Sequence, residues 1–233
     1  MLQLFDIGNT SSRVAYFENN KISGYRKIPN DTLFDTISQD MPSAAACVVP
    51  KLTPELERHG VFVIHALLPH LPIDFSLVEA EKLGGDRLAN IMALASEEEL
   101  PGCVVDCGTC INLEVVNRNS VFLGGAIMPG RRLQRRILRL GTGALPEVAL
   151  TNTPELKIGT TTESNINFGL DTGSIGAIKA WLDSLEIPLK TIIFTGGDAC
   201  FFLPFFPTAK KADHLFTLRG VAYTYCATKR VKM

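Results

Sequence analysis

A chain of 233 residues, 46% of them hydrophobic and with a net charge of −1, has enough apolar material for a sizeable core. That charge balance excludes a nucleic-acid partner held by bulk electrostatics. No apolar run reaches bilayer length, and the N-terminal residues lack the basic, apolar, small-residue order of a secretory signal. These features predict a soluble cytoplasmic protein with no membrane and no nucleic acid among its partners. Its six cysteines are expected as thiols rather than as a disulfide framework.

In chain order, residues 2–5 and 13–17 read as two strands joined by a turn at Gly8-Asn9, and 21–27 as a third strand of the same meander. A short helix is expected over 33–37. Compact buried strands follow at 44–49 and 61–64, then a proline-bearing loop at 67–76. A helix opens near Asp86, where Leu88, Ile91, Met92 and Ala95 fall on one apolar stripe, and it ends before Pro101-Gly102. A second set of strands is expected at 103–106, 111–116 and 121–123, with a hairpin turn at 117–120 and the glycine run 124–130 after it. Helices are expected over 131–140 and 163–185, a strand over 191–194, and a last helix from about Thr217. Strand–turn–strand units followed by helices, given twice, predict an α/β protein of two like halves, 1–101 and 102–233, with a cleft between them.

Two acidic glycine turns carry most of the chemistry. Asp6-Ile7-Gly8-Asn9-Thr10-Ser11 follows the first strand, and Asp106-Cys107-Gly108-Thr109 follows the first strand of the second set. Gly8 permits close backbone approach to a ligand, Asn9 tolerates a left-handed turn, Thr10 and Ser11 add hydroxyls, and Arg13 adds charge. Asp6 would meet a polyphosphate through hydrated magnesium rather than directly, because two anions repel. Taken singly, each turn is equally a plain hairpin turn. Thr195-Gly196-Gly197 closes an apolar strand, where bare main chain can lie against a flat ring or a phosphate, or simply lead into a helix.

Gly84-Gly85-Asp86-Arg87 offers a carboxylate to take a proton from an attacking hydroxyl and a guanidinium fork to grip a substrate carboxylate. The same Asp could instead be a helix N-cap. Cys107 and Cys110 have metal-ligand spacing without a second pair, so buried thiols are the simpler reading of them. Arg131, Arg132, Arg135, Arg136 and Arg139 form a basic stripe opposite Leu133, Ile137 and Leu140. It suits a solvated or subunit-facing surface better than an anion-binding one.

Asp6-x-Gly8-Asn9-Thr10, Gly84-x-Asp86-Arg87, Asp106-x-Gly108-Thr109, the run from Gly124 to Gly130, Thr162-Glu163-x-Asn165-Ile166 and Thr195-Gly196-Gly197 together resemble type III pantothenate kinases in identity and order. The resemblance extends to Arg219-Gly220-Val221. It implies the duplicated ribonuclease-H-like fold of the actin, sugar kinase and heat-shock chaperone superfamily. It also implies ATP-dependent phosphorylation of pantothenate, the first step towards coenzyme A. By position, Asp86 would be the general base. Gly84, Gly85, Arg87 and Thr162 would bind pantothenate. Asp6, Ile7, Gly8, Asn9, Thr10, Ser11, Ser12 and Arg13 would line the ATP phosphates and place Mg2+, with Thr109 also facing ATP. Asp106 would hold a monovalent cation, K+ or NH4+, and the protein would be a homodimer. The chain departs from the family at Leu77, where a substrate-contacting tyrosine is usual. It also departs at Cys110, Ile111, Asn112 and Glu114, where small residues, threonine and aspartate are usual. A non-catalytic or regulatory protein on the same scaffold, or a kinase for another small hydroxy acid, stands as the alternative.

Overall fold

The computed structural model describes residues 1–154 and 156–229. Its first sheet contains β1 (Leu2–Ile7), β2 (Ser11–Glu18), β3 (Lys21–Pro29), β4 (Ser43–Cys47) and β5 (Val61–Val63), in the order β3-β2-β1-β4-β5. β1 pairs antiparallel with β2, placing Asp6 opposite Arg13, and parallel with β4. Two short helices, α1 (Leu33–Thr36) and α2 (Thr53–Arg58), join these strands. The second was not expected; it starts with Pro54 in its first turn, where the missing N–H costs nothing.

The second sheet contains β6 (Gly102–Cys107), β7 (Cys110–Val116), β8 (Phe122–Pro129), β9 (Thr191–Thr195) and β10 (Lys210–Lys211). Read from β8, its order is β8-β7-β6-β9-β10, the third-second-first-fourth-fifth order of the first sheet. The two-half α/β expectation is therefore realised at the level of sheet topology. β8 runs straight through the Gly124-Gly125 pair, which the sequence suggested as the end of a shorter strand. The expected hairpin turn is present: the Asn117 side chain accepts N–H groups from Asn119 and Val121.

The longer helices are α3 (Gly85–Glu97), α4 (Arg131–Gly141), α5 (Thr162–Asp183) and α7 (Phe216–Lys229), with a single turn, α6 (Ala199–Phe202), after β9. The chain forms two compact units. The first holds Met1–Gly102, Glu114–Gly124 and the chain from Asp213 on; the second holds Cys103–Leu113 and Gly125–Ala212. In the first unit β1 is buried along its whole length. Phe5, Ile7, Val14, Leu33, Ala45, Leu56 and Val61 form one cluster of its core. α3 and α7 pack together and against the sheet, α3 on β4 and α7 on β1 and β4. A strand covered in this way carries apolar side chains on both faces, as Leu4, Phe5 and Ile7 do, while the buried Gln3 is satisfied by donating to the Thr36 carbonyl and accepting the Ser38 N–H.

α4 overturns the surface reading of the basic stripe. Arg132, Arg136 and Arg139 are exposed, but Arg131 and Arg135 are among the most deeply buried side chains. Both reach the buried Asp171 of α5, each through a nitrogen 3.0 Å from Oδ1. Arg131 also stacks 3.3 Å over the Phe201 ring.

Candidate active site

In the first unit, Asp6 is the penultimate residue of β1 and its carboxylate pairs with Arg13 across the hairpin. The turn between them is closed by Gly8 N–H donating to the Ser11 carbonyl at 3.2 Å. Asn9 and Thr10 are exposed, so the turn presents its polar groups outward, while Ile7 is buried. Ser12 is also buried, and its hydroxyl donates to Asn30 Oδ1 at 2.8 Å. Asn30 in turn donates from Nδ2 to the Gly8 carbonyl at 2.8 Å. Asn30 thus braces the turn from below, a role the sequence did not suggest. The only available cue was an Asn just after the third strand.

α3 begins where β4 ends. A Cβ on Gly85 would lie 3.0 Å from the Cys47 backbone nitrogen and 3.2 Å from Ala46 Cα, so a larger residue would press the helix start against that strand's backbone. Gly84 occupies the N-cap position and no side chain caps the helix. Asp86 therefore lies inside the first turn and does not act as the N-cap. Its Oδ1 accepts the Arg87 N–H at 2.7 Å. Burial pushes the Asp86 carboxyl above the usual carboxylate range; the like charge of Asp6 adds to this and the Arg87 N–H opposes it. The two aspartates of this unit are thus within electrostatic reach of each other. Arg87 Nε lies 2.6 Å from Oε1 of Glu114, which is fully buried.

In the second unit, Asp106 is the penultimate residue of β6, the counterpart of Asp6 in sheet topology. Its turn is closed by Gly108 N–H to the Cys110 carbonyl at 2.9 Å, and Gly108 and Thr109 are exposed. Gly196 lies against this turn with φ +88°; a Cβ there would be 2.5 Å from both Asp106 Oδ1 and the Cys107 carbonyl. The Asp198 N–H also donates to the Cys107 carbonyl at 2.9 Å. Burial, then the charges of Asp106 and Asp198, push the Cys107 thiol well above its ordinary range, so it is inert rather than nucleophilic. Gly130 N–H donates to the Thr109 carbonyl at 2.8 Å, tying the start of α4 to the same turn. Thr162 is the exposed first residue of α5, whose cap is made by Thr161 and Ser164. The first unit thus gathers the Asp6 turn, Gly84, Gly85, Asp86 and Arg87. The second gathers Asp106 and Thr109, with Gly196 and Asp198 beside them, and carries Thr162 separately.

An exposed turn behind a strand-borne aspartate, built once on each of two sheets of identical strand order, defines a duplicated ribonuclease-H-like α/β protein. A sequence model described as type III pantothenate kinase matches residues 2–184. The type III pantothenate kinase of Fervidobacterium nodosum is 30% identical, covering 97% of this chain and 97% of its own length. That of Thermosynechococcus vestitus is 32% identical over 84% of this chain and 76% of its own. Among solved structures, a Campylobacter jejuni protein assigned to the Baf family of transcriptional activators superposes with a TM-score of 0.70 at 25% identity. The match covers 96% of this chain and 97% of that one. The chain belongs to the type III pantothenate kinase family.

Proposed function

We propose that this protein transfers the γ-phosphoryl group of ATP to the primary hydroxyl of pantothenate, giving 4'-phosphopantothenate and ADP, with Asp86 as the general base. The Asp86 carboxylate takes the hydroxyl proton as the alcohol oxygen bonds to phosphorus and the bond to the ADP oxygen breaks. Phosphoryl transfer asks mostly for positioning and charge neutralisation. What carries the proposal is Asp86 itself. It is half-buried, its carboxyl is raised toward the range useful for proton transfer, and an arginine follows it directly. Arg87, Gly84 and Gly85 would hold the acceptor, with Thr162 as a further contact. The exposed Asn9 and Thr10 and the half-buried Ser11, with Gly8 and Arg13, would bind phosphate oxygens. Ile7 and Ser12 would act by fixing the turn, and Thr109 would face the nucleotide.

Among the described residues no cluster of three or more His, Cys, Asp and Glu side chains is assembled. Magnesium keeps most of its waters and takes few protein ligands, so a single carboxylate beside a phosphate turn suits it, and Asp6 would hold it. Asp106, the counterpart of Asp6 on the second sheet, would hold K+ or NH4+ through its carboxylate oxygens. The cations would supply charge neutralisation on the transferring group. We further propose a homodimer: Ile127, Ile137, Leu140 and Ile158 are exposed in the second unit at 50% or more, a supply of apolar surface that a second copy would cover. A second reading, a kinase for another small hydroxy acid, is favoured by Leu77, which is 65% exposed and offers no hydroxyl. Turnover of ATP with a panel of hydroxy acids separates the two; fastest ADP release with pantothenate supports the first.

A further inference from the structure

Glu114 is the charged residue of β7 and has no exposed surface. Burying a carboxylate is costly unless a strong partner compensates. Here the partner is the guanidinium of Arg87, 27 positions earlier in the chain, at 2.6 Å through Nε. Arg87 keeps 18% of its side chain exposed. A guanidinium is a rigid planar fork with two edges that can each meet a carboxylate. An anchor on Nε leaves the edge formed by the two terminal nitrogens as the one that can meet another anion, and it fixes the tilt of the plane.

We infer that Glu114 is a positioning residue that aims Arg87 at the carboxylate of the acceptor, and so sets the preference for an acidic substrate. This rests on the proposed pantothenate kinase activity. The chain places a glutamate here, one methylene longer than an aspartate, so the arginine is held farther from the β7 backbone than an aspartate would hold it. Small misplacements of a substrate-gripping group are costly to turnover, up to about 100-fold for 1 Å.

The test compares pantothenate with its alcohol analogue, in which the carboxylate is replaced by a hydroxymethyl group, as acceptors for the wild-type protein and for Glu114→Gln. The variant is expected to lower kcat/KM for pantothenate about 10-fold, through KM, while kcat/KM for the alcohol and KM for ATP stay within about twofold. Arg87→Lys, which keeps the charge and loses the fork, should lower kcat/KM for pantothenate by a larger factor than kcat/KM for the alcohol. The double variant should be no worse than the poorer single one, since both break one contact. Equal losses on acid and alcohol, or an unchanged preference for the acid, overturn the inference while leaving the kinase activity standing. A wild-type protein that phosphorylates neither acceptor removes the activity itself, and the inference with it. Should Glu114→Gln not fold, Glu114→Asp and Arg87→Lys carry the same comparison.

Discussion

Asp86 is held where its charge is unwelcome. Burial and the nearby Asp6 raise its carboxyl, and the Arg87 N–H only partly offsets them. A carboxyl raised on folding contributes stability below the ordinary carboxylate range, and that contribution is lost as pH rises through the raised value. At neutral pH the ionised Asp86 therefore costs stability. Asp86→Asn should lower kcat by about 10²–10⁴-fold while the protein melts at the same temperature or higher, as read by activity and thermal unfolding side by side. In the wild type, the acid limb of kcat/KM for pantothenate should fall at higher pH than the ordinary carboxylate value of about 4. Asn30 is the second residue-level test. Asn30→Ala removes both hydrogen bonds that brace the Gly8 turn, so KM for ATP should rise several-fold, with KM for pantothenate moving less than twofold. Asp6 and Asp106 were legible in the sequence because each closes a mostly apolar strand and opens a short glycine turn, and Asp86 because two glycines precede it and an arginine follows. Asn30 and Glu114 were not, because their partners lie 18–27 positions away and only the folded sheets bring them together.

At the scale of elements, the strands and long helices follow apolar runs and stripes, and most were readable from them. α4 is where patterning misled. Its apolar residues Ile137 and Leu140 are exposed, while Arg131 and Arg135 point inward to Asp171. Nothing local announces this, since Asp171 lies 36–40 positions downstream on α5. Removing one member of a buried charge network leaves the others uncompensated, at a cost of about 3–5 kcal/mol. Asp171→Ala should therefore lower Tm by roughly 6–20 °C. A change under 2 °C in calorimetry would mean that the network is solvated. A further miss, the continuation of β8 through Gly124-Gly125, has a simple cause: paired glycines signal a turn in most sequences, but here Gly124 takes a φ of +108° that other residues rarely adopt and the strand continues through it.

For the whole molecule, the same strand order on both sheets puts Asp6 and Asp106 in equivalent places, each one residue before the end of the first strand. Equivalence of position does not mean equivalence of role: Asp6 is paired with an arginine, whereas Asp106 lies against Gly196 and the Cys107 carbonyl. Turnover should therefore rise on adding KCl to a sodium-buffered assay, and Asp106→Asn should remove that activation along with most of the rate. Sedimentation should give the mass of two chains, shifting toward one on Leu140→Glu. The central claim is tested most directly by incubating the wild-type protein and Asp86→Asn with Mg-ATP, K+ and pantothenate and following ADP and phosphorylated pantothenate together. One phosphopantothenate per ADP from the wild type, and almost none from the variant, is the predicted result. ADP without phosphorylated pantothenate, or a variant as fast as the wild type, would contradict it.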